Sequence, residues 1–215
     1  NKNVLLVADD DTASFEELSD SLAGLLPEDY TANKVSVGDY TSEGNPTNDI
    51  LKYIDNGSLL VNYTGHGAVE RWGLWGENND KSFFKRPDIA SLKSTNKLTV
   101  VTVANCLNGF FPGPKTQISI AEEFHRVQDK GAVAVWAPTA LSYTSGHSIL
   151  MKELYKAIFQ DGQYGLGAVT TAAKIDTYAQ SKFWSELVET FVLFGDPATQ
   201  LGVSSSSDTE LSVIS

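Results

Sequence analysis

Short apolar runs alternate along the chain with stretches in which apolar residues recur at helical spacing. The runs predict six β-strands, and helical stretches follow most of them. The predicted strands are NVLLVA (3–8), NKVSVGDY (33–40), SLLVNY (58–63), KLTVVTVA (97–104), GAVAVWA (131–137) and TFVLFG (190–195). Strands that are apolar throughout and are each followed by a helix are typical of parallel sheets. We therefore predict an α/β fold with a mostly parallel, roughly six-stranded sheet flanked by helices on both faces.

Polar residues at the helix starts refine this prediction. Ser14 with Glu17, and Ser119 with Glu122, have the spacing of capping boxes, and Thr47 is a plausible N-cap. The third and fourth strands are joined by a long loop-rich segment that includes WGLWGENNDKSFF (72–84). Loops of this length in a compact domain are usually functional or mobile.

Length and composition limit the possible classes of protein. The chain has 215 residues, 41% of them hydrophobic, which suits one domain over residues 1–203. The serine-rich segment 204–215 is expected to be a linker or the start of a following domain. The chain begins without methionine or a signal-peptide pattern, so we expect an excised domain or processed fragment of a longer chain. No apolar run approaches the roughly 20 residues of a membrane-spanning helix.

Charge and cysteine content narrow the function further. The net charge is −11 and no lysine or arginine cluster occurs, which argues against a nucleic-acid partner. Cys106 is the single cysteine, so no internal disulfide can form. A lone cysteine is usually a small buried hydrophobe, unless its surroundings can produce a thiolate.

A histidine and this cysteine follow two strands of the predicted sheet. His66 lies between two glycines just after the third strand, and Cys106 follows the fourth strand in NCLNG. Functional groups of open parallel sheets collect beyond the carboxyl ends of the strands. If the two strands are neighbours, the histidine and the cysteine lie side by side, and a nucleophilic Cys/His pair is favoured over a turn histidine and a packing cysteine.

The glycines around the histidine have two interpretations. A GHG turn leaves the amide of Gly67 uncovered, so that it and the amide of Cys106 could form an oxyanion hole. The alternative is that the glycines only permit the sharp turn.

Three acids, Asp9 to Asp11 in VADDD, end the first strand. A phosphorylated receiver domain would need an aspartate at the end of the third strand, where this chain has Asn62, Tyr63 and Thr64, so that class is set aside. Either Asp9 or Asp10 orients the histidine, or the acids hold calcium, or they stabilise the following helix N-terminus. The metal-site prediction stays open at this point.

The remaining motifs add little chemistry. YGLGAV (164–169) does not follow a strand and lacks the full dinucleotide-binding glycine pattern. His125 is expected to be a solvated or packing residue, and His147 is the weaker alternative to His66. Trp72 is either a core aromatic or, because it lies in a loop, part of a pocket wall.

Taken together, these segments resemble the gingipain-like cysteine peptidases, family C25, whose catalytic domain has a caspase-like fold. The resemblance rests on LVNYTGHG followed by Trp72-Gly73, on NCLNGFF, on GAVAVWAPT and on FGDPA, in this order and within residues 3–203. It implies that His66 is the catalytic histidine, that Cys106 is the nucleophile, and that the Gly67 and Cys106 amides bind the oxyanion. It also implies that the acid supporting the histidine is Asp9 or Asp10.

The resemblance further implies a substrate pocket with an aromatic wall near Tyr143. Arginine-specific gingipains carry a pocket aspartate at the start of the first helix, where this chain has Phe15 with Glu16 beside it. Lysine-specific ones carry an aspartate shortly after the aromatic, where this chain has Gly146. Because neither acid is present, the expected preference for a basic P1 residue rests on the acidic net charge and nearby glutamates.

We therefore expect a secreted or surface-exposed, bacterial cysteine endopeptidase that acts on proteins or peptides. No cofactor is expected to be required, although structural calcium is an option, and flanking domains are expected. The alternative is a non-catalytic module that keeps the caspase-like fold and binds peptides or partners. A third option is a peptidase held latent without its flanking segments.

Overall fold

The computed structural model of the chain describes residues 2–41, 44–76, 80–93, 97–114 and 116–203. The strands are β1 (Asn3–Ala8), β2 (Thr31–Ser36), β3 (Leu60–Thr64), β4 (Leu74–Trp75), β5 (Lys81–Ser82), β6 (Thr99–Ala104), β7 (Ala132–Pro138) and β8 (Phe191–Phe194). The helices are α1 (Ala13–Ala23), α2 (Pro46–Asp55), α3 (Ile120–Arg126), α4 (Thr144–Phe159), α5 (Leu166–Gln180) and α6 (Ser185–Thr190). The segment 204–215, predicted to be a linker or a further domain, lies outside the described residues.

Six strands form one sheet in the order β2-β1-β3-β6-β7-β8. All neighbouring pairs are parallel except the last, in which β8 runs antiparallel to β7. The order confirms the prediction of a mostly parallel six-stranded sheet. It also makes β3 and β6 direct neighbours, with Thr64 paired to Ala104 at their carboxyl ends.

The strands are apolar throughout because both faces of the sheet are covered. In β1, Val4 and Leu6 belong to one hydrophobic cluster, and Leu5 and Val7 to the other. The first cluster lies under α1, α4 and α5, and the second under α2, α3 and the aromatic residues that follow β5. Helices therefore lie on both faces, as predicted from the apolar runs.

The helix caps differ in part from the prediction. Ser119 and Glu122 form the expected capping box at α3, with the Ser119 amide 2.8 Å from the Glu122 carboxylate. The predicted box of Ser14 and Glu17 is wrong, because α1 begins at Ala13 and its N-cap is Thr12.

The Thr47 cap is also wrong, since Asn45 caps α2 by accepting from the amide of Asn48. The Thr47 hydroxyl donates instead to the carbonyl oxygen of Phe83.

Some elements were not predicted from the sequence. The loop-rich segment contains the two-residue strands β4 and β5, and α6 precedes β8. Helix α4 begins at Thr144, four residues earlier than its predicted start at Ser148. None of the helices within the described ranges has both the length and the apolar character needed to cross a membrane.

Candidate active site

Two loops begin side by side at the carboxyl edge of the sheet. Thr64 and Ala104 are paired across β3 and β6, and the Gly65 amide donates to the Ala104 carbonyl oxygen over 3.2 Å. His66 and Cys106 each follow two residues after this pair. Because adjacent strands lie about 4.8 Å apart, the register brings the histidine loop and the cysteine loop together.

Gly67 packs directly on the cysteine loop. A methyl group at this position would lie 2.6 Å from the Cys106 carbonyl oxygen and 2.5 Å from the Asn105 side-chain nitrogen. Real Cβ atoms essentially never come this close to other heavy atoms. The second glycine of the GHG turn is therefore needed for the close approach of the two loops.

Two buried asparagines tie the loops together. The side-chain nitrogen Nδ2 of Asn105 donates to Oδ1 of Asn108 over 2.6 Å. Asn108 in turn donates to the carbonyl oxygens of Ala68 (2.7 Å) and Arg71 (3.0 Å), which follow the histidine. Both asparagine side chains are fully buried, so breaking this chain of bonds would leave desolvated polar groups without partners.

The Asp9 carboxylate, at the end of β1, holds the backbone of the histidine loop. Asp9 is fully buried, and its Oδ2 accepts from the amide of His66 and from the hydroxyl of Tyr63, each over 3.0 Å. Its Oδ1 accepts from the Asp10 amide over 3.1 Å. Burial raises the pKa of Asp9, while these three hydrogen bonds lower it. The Asp9 side chain thus fixes the position of His66 through its main chain, not through its ring.

Tyr63 and two glycines complete this anchor. The Tyr63 hydroxyl also lies 2.6 Å from the His66 carbonyl oxygen and accepts from the Gly73 amide over 2.9 Å. A Cβ atom at Gly73 would lie 2.1 Å from Asp9 Oδ2, and one at Gly65 would lie 2.4 Å from Asp9 Cβ. Both glycines are therefore needed so that the backbone can pass over the buried carboxylate.

The imidazole of His66 projects away from this anchor. Its side chain is 66% exposed, and its Nε2 lies 3.8 Å from Oδ2 of Asp11. The ring also meets the ring of Phe15 edge-on at a centroid distance of 5.5 Å. The carboxylate nearest to the imidazole is therefore that of Asp11, whereas Asp9 contacts the histidine backbone and Asp10 is exposed.

The Cys106 thiol is half-buried and faces the loop that follows β7. Its Sγ donates to the carbonyl oxygen of Ser142 over 3.6 Å. The next residue, Leu107, has a φ of 62° and donates its amide to the Ala140 carbonyl oxygen over 3.3 Å. A left-handed conformation in a leucine is uncommon, and such strain tends to occur at functional sites.

The backbone amides of Gly67 and Cys106 are free at this edge. Within the described ranges, neither donates a hydrogen bond to another protein group. Both belong to the loops that pack against each other at the sheet edge. Two unpaired amides at such a position are available to an oxygen atom of a ligand.

A cavity of about 270 Å³ lies beside Ser142, and we call it the Tyr143 cavity. Its wall includes the exposed Tyr143, whose ring is stacked 6.4 Å from that of Phe183. Trp184 and the carboxylate-bearing Glu186 also line it. The cavity therefore combines aromatic surface with one acidic side chain next to the cysteine loop.

The other residues expected to bind substrate lie elsewhere. Trp72 is fully buried and stacks on Tyr63 at 4.5 Å, so its predicted place in a pocket wall is wrong, and it is a core aromatic. Phe15 is also buried, and its ring contacts the imidazole edge-on. Glu16 is exposed on α1 and does not line the Tyr143 cavity.

The two other histidines lie outside the paired loops that carry His66 and Cys106. His125 is exposed on α3. His147 is buried in α4, where desolvation lowers its pKa to about 4, so it is neutral at neutral pH.

No group of three or more His, Cys, Asp or Glu side chains within the described ranges is arranged to hold a metal ion. The predicted calcium option at VADDD also fits the donor chemistry poorly, because Asp9 already accepts bonds from N–H and O–H groups.

Sequence reasoning missed three contributors to this site. Tyr63 and Gly73 carry no distinctive motif by themselves, and their roles follow only from their contacts with Asp9. Asp11 was visible as the third acid of VADDD, but its place beside the imidazole depends on how the chain turns into α1.

Comparison with known proteins gives a consistent picture. The sequence model described as peptidase family C25 matches residues 1–202. Gingipain R2 and gingipain R1 of Porphyromonas gingivalis are each 25% identical to this chain over 169 residues, which cover 70% of it. The matched region spans only 20% of the length of gingipain R2 and 15% of the length of gingipain R1.

Solved structures are similar over nearly the whole chain. The crystal structure of the Arg-specific cysteine proteinase gingipain R superposes with a TM-score of 0.77 at 24% identity, covering 93% of this chain and 47% of that one. A complex of the pro- and mature domains of a Porphyromonas gingivalis gingipain superposes with a TM-score of 0.75 at 20% identity. The match covers 93% of this chain and 48% of that one. These likenesses confirm the predicted caspase-like fold. The chain spans about half the length of these solved chains.

Proposed function

The chain belongs to peptidase family C25, and on this basis we propose that it is a cysteine endopeptidase in which Cys106 is the nucleophile and His66 the general acid and base. The observation that carries the proposal is the packing of Gly67 on Cys106, which brings the two loops into contact. A peptide- or partner-binding module would not need an exposed imidazole and a half-buried thiol on adjoining loops.

The chemistry uses these groups in sequence. His66 accepts the thiol proton, and Cys106 Sγ attacks the scissile carbonyl carbon to form a tetrahedral oxyanion. The amides of Gly67 and Cys106 donate to that oxygen, and losing one such donor typically costs about 10²–10³ in rate. The C–N bond then breaks while His66 returns the proton to the leaving amine. Water hydrolyses the thioester and releases the acid.

Two aspartates have different parts in this mechanism. Asp11, 3.8 Å from the imidazole, stabilises the protonated form that exists between attack and amine release. Asp9 is a positioning residue that holds the His66 backbone, and Asp10 contributes only its amide to that anchor. We therefore propose Asp11, and not Asp9 or Asp10, as the acid that acts on the imidazole, through its charge at 3.8 Å.

The Tyr143 cavity is proposed to bind the P1 side chain. It adjoins Ser142, whose carbonyl oxygen accepts from the nucleophile. An arginine or lysine side chain there could stack on Tyr143 and reach Glu186. We therefore retain the expectation of a basic P1 residue, with Glu186 in place of the acids found at other positions in gingipains.

The setting follows from family membership. We propose that the enzyme is secreted or displayed at a bacterial cell surface, that its substrates are proteins or peptides, and that it works as part of a longer chain. No cofactor takes part in the proposed steps.

The test compares peptide hydrolysis and iodoacetamide labelling in the parent chain and two variants. Cys106→Ala is expected to abolish both cleavage and labelling. His66→Ala is expected to lower kcat/KM by at least about 10³-fold and to slow labelling at neutral pH, because the thiol loses its base. His125→Ala, which removes an exposed histidine on α3, is the matched control and should leave both unchanged.

Undiminished hydrolysis by Cys106→Ala would contradict the proposal. An inert thiol together with no cleavage of a diverse peptide library would favour the binding module instead. Repeating the assay with a longer natural chain separates that outcome from latency, since only a latent peptidase gains Cys106-dependent activity.

A further inference from the structure

A second cavity, of about 480 Å³, is lined by residues of both paired loops, and we call it the Arg71 cavity. Ala68 and Leu107 form part of its wall, so it begins two residues after His66 and one residue after Cys106. Arg71, Lys85 and Gln117 line it further out. Its surface is therefore continuous with both loops of the proposed catalytic site.

The wall of this cavity is fixed by buried hydrogen bonds. The carbonyl oxygens of Ala68 and Arg71 both accept from the Asn108 side chain, and that of Val69 accepts from the Ile120 amide over 2.8 Å. The 68–71 turn is thereby held against α3 and the cysteine loop. A ligand would meet a preformed surface and would not have to order it.

Strand order decides which part of a substrate would enter this cavity. The sheet places the β3 loop with His66, the β6 loop with Cys106 and the β7 loop with Tyr143 in that order along its edge. In the proposed mechanism the leaving amine must lie near the imidazole that protonates it. The Tyr143 cavity then lies on the acyl side of the scissile bond. The Arg71 cavity, which continues from His66, lies on the side of the leaving peptide.

The charge of the Arg71 cavity is unusual for this protein. Arg71 and Lys85 are partners in an antiparallel β-bridge, so their side chains project from the same face about 5 Å apart at Cβ. In the described part of the chain neither is ion-paired with a carboxylate. The one acid in the wall, Glu70, lies 3.7 Å from Arg86. A chain of net charge −11 thus presents two unpaired cations beside its proposed catalytic site.

We propose that the Arg71 cavity is the subsite for residues on the leaving-group side of the scissile bond, and that it selects aspartate or glutamate there. This inference rests on the proposed peptidase function. Arg71 donates one Nη1 hydrogen bond to the carbonyl oxygen of Trp72 over 3.2 Å, and its other guanidinium donors remain for a ligand. Lys85 supplies a second positive charge on the same face.

The experiment digests a proteome-derived peptide library and identifies the cleaved bonds by mass spectrometry. A parallel digest with Cys106→Ala removes cleavages that do not depend on the nucleophile. The parent is expected to show aspartate and glutamate enriched about two- to fivefold within the first three positions after the cleaved bond, as suits partly exposed ion pairs. The double variant Arg71→Gln/Lys85→Gln should lose this enrichment. Lys85→Glu, which keeps Arg71 but places a carboxylate beside it, should lose it as well.

The matched control is Lys52→Gln/Lys93→Gln, which removes the same charge from exposed positions away from the cavity and should keep the enrichment. Cys106-dependent cleavage without acidic enrichment, or with enrichment unchanged in the Arg71/Lys85 variant, would overturn the inference while leaving the peptidase intact. Absence of any Cys106-dependent cleavage, both by this chain and by the longer natural chain, would overturn the proposed function, so the two failures are distinguishable.

Discussion

Replacing Asp9 by asparagine tests whether a buried carboxylate positions the proposed catalytic histidine. The substitution keeps the size of the side chain but removes its charge and one acceptor. Asp9 Oδ2 accepts from His66 and Tyr63, and Oδ1 accepts from Asp10. An asparagine has one oxygen and one NH₂ group, so at least one of these three donors must face another donor.

The size of the effect follows from these contacts. Hydrogen bonds to a charged acceptor contribute about 1.5–3 kcal/mol each, against about 0.5–1.5 kcal/mol for neutral pairs. The loss is partly offset, because burial disfavours the charged form of Asp9 and raises its pKa. We expect Asp9→Asn to lower the free energy of unfolding by about 1–2 kcal/mol. We expect kcat/KM to fall by about 10²-fold, because small displacements of a catalytic group are costly.

The assay pairs urea unfolding with peptide hydrolysis at a temperature where the variant stays folded. Asp10→Asn is the matched control, since the Asp10 carboxylate is exposed and only its amide joins the anchor. Gly73→Ala perturbs the same anchor from outside, because its Cβ would lie 2.1 Å from Asp9 Oδ2. Gly24→Ala, where the nearest atom is 3.5 Å away, should be harmless by comparison.

Full activity in Asp9→Asn would refute this account of the anchor. A loss of activity no larger than that of Asp10→Asn would do the same, because the exposed carboxylate contacts no part of the histidine loop. If Asp9→Asn lost stability but kept its kcat/KM, Asp9 would be a folding residue without a positioning role.

Three further predictions concern separate groups. Asp11→Asn should lower kcat/KM by about two- to fivefold, because the protonated imidazole loses a partly exposed partner at 3.8 Å. The free energy of unfolding, measured with urea, should change by less than about 0.5 kcal/mol. A larger loss of stability would contradict this prediction. Desolvation lowers the pKa of His147 to about 4. The folded protein therefore keeps this histidine neutral while the unfolded chain is protonated below about pH 6.5. Between about pH 7.5 and 5 the free energy of unfolding of the parent should therefore fall by about 2 kcal/mol through this group. An equal fall in His147→Gln would disprove the prediction. Glu186→Gln should reduce the preference for arginine over glutamine at P1 by about fivefold in a matched pair of fluorogenic peptides, and an unchanged ratio would remove Glu186 from the P1 pocket.

The apolar pattern predicted the sheet well because its strands are covered on both faces. All six strands of the main sheet were predicted within two residues at their start or end, and β1 matches at both. Strands β4 and β5 are each only two residues long, which is too short for an alternation of apolar residues to be visible. The start of α4 was missed because Thr144, Ser145 and Gly146 are weak helix formers. Cap residues were the least predictable. Ser14 and Thr47 have hydroxyl groups suited to an N-cap, but each is the second residue inside its helix.

The sequence by itself determined which residues have reactive side chains and that His66 and Cys106 each follow a strand. That much depends on local pattern: an apolar run ends, and glycine or asparagine follows it. Only the tertiary structure decided how the acids divide their work. Three consecutive aspartates look alike in the sequence, but the turn into α1 buries Asp9 under two glycines and leaves Asp11 beside the imidazole. Burial and direction are set by contacts between residues more than fifty positions apart, and no local pattern encodes them.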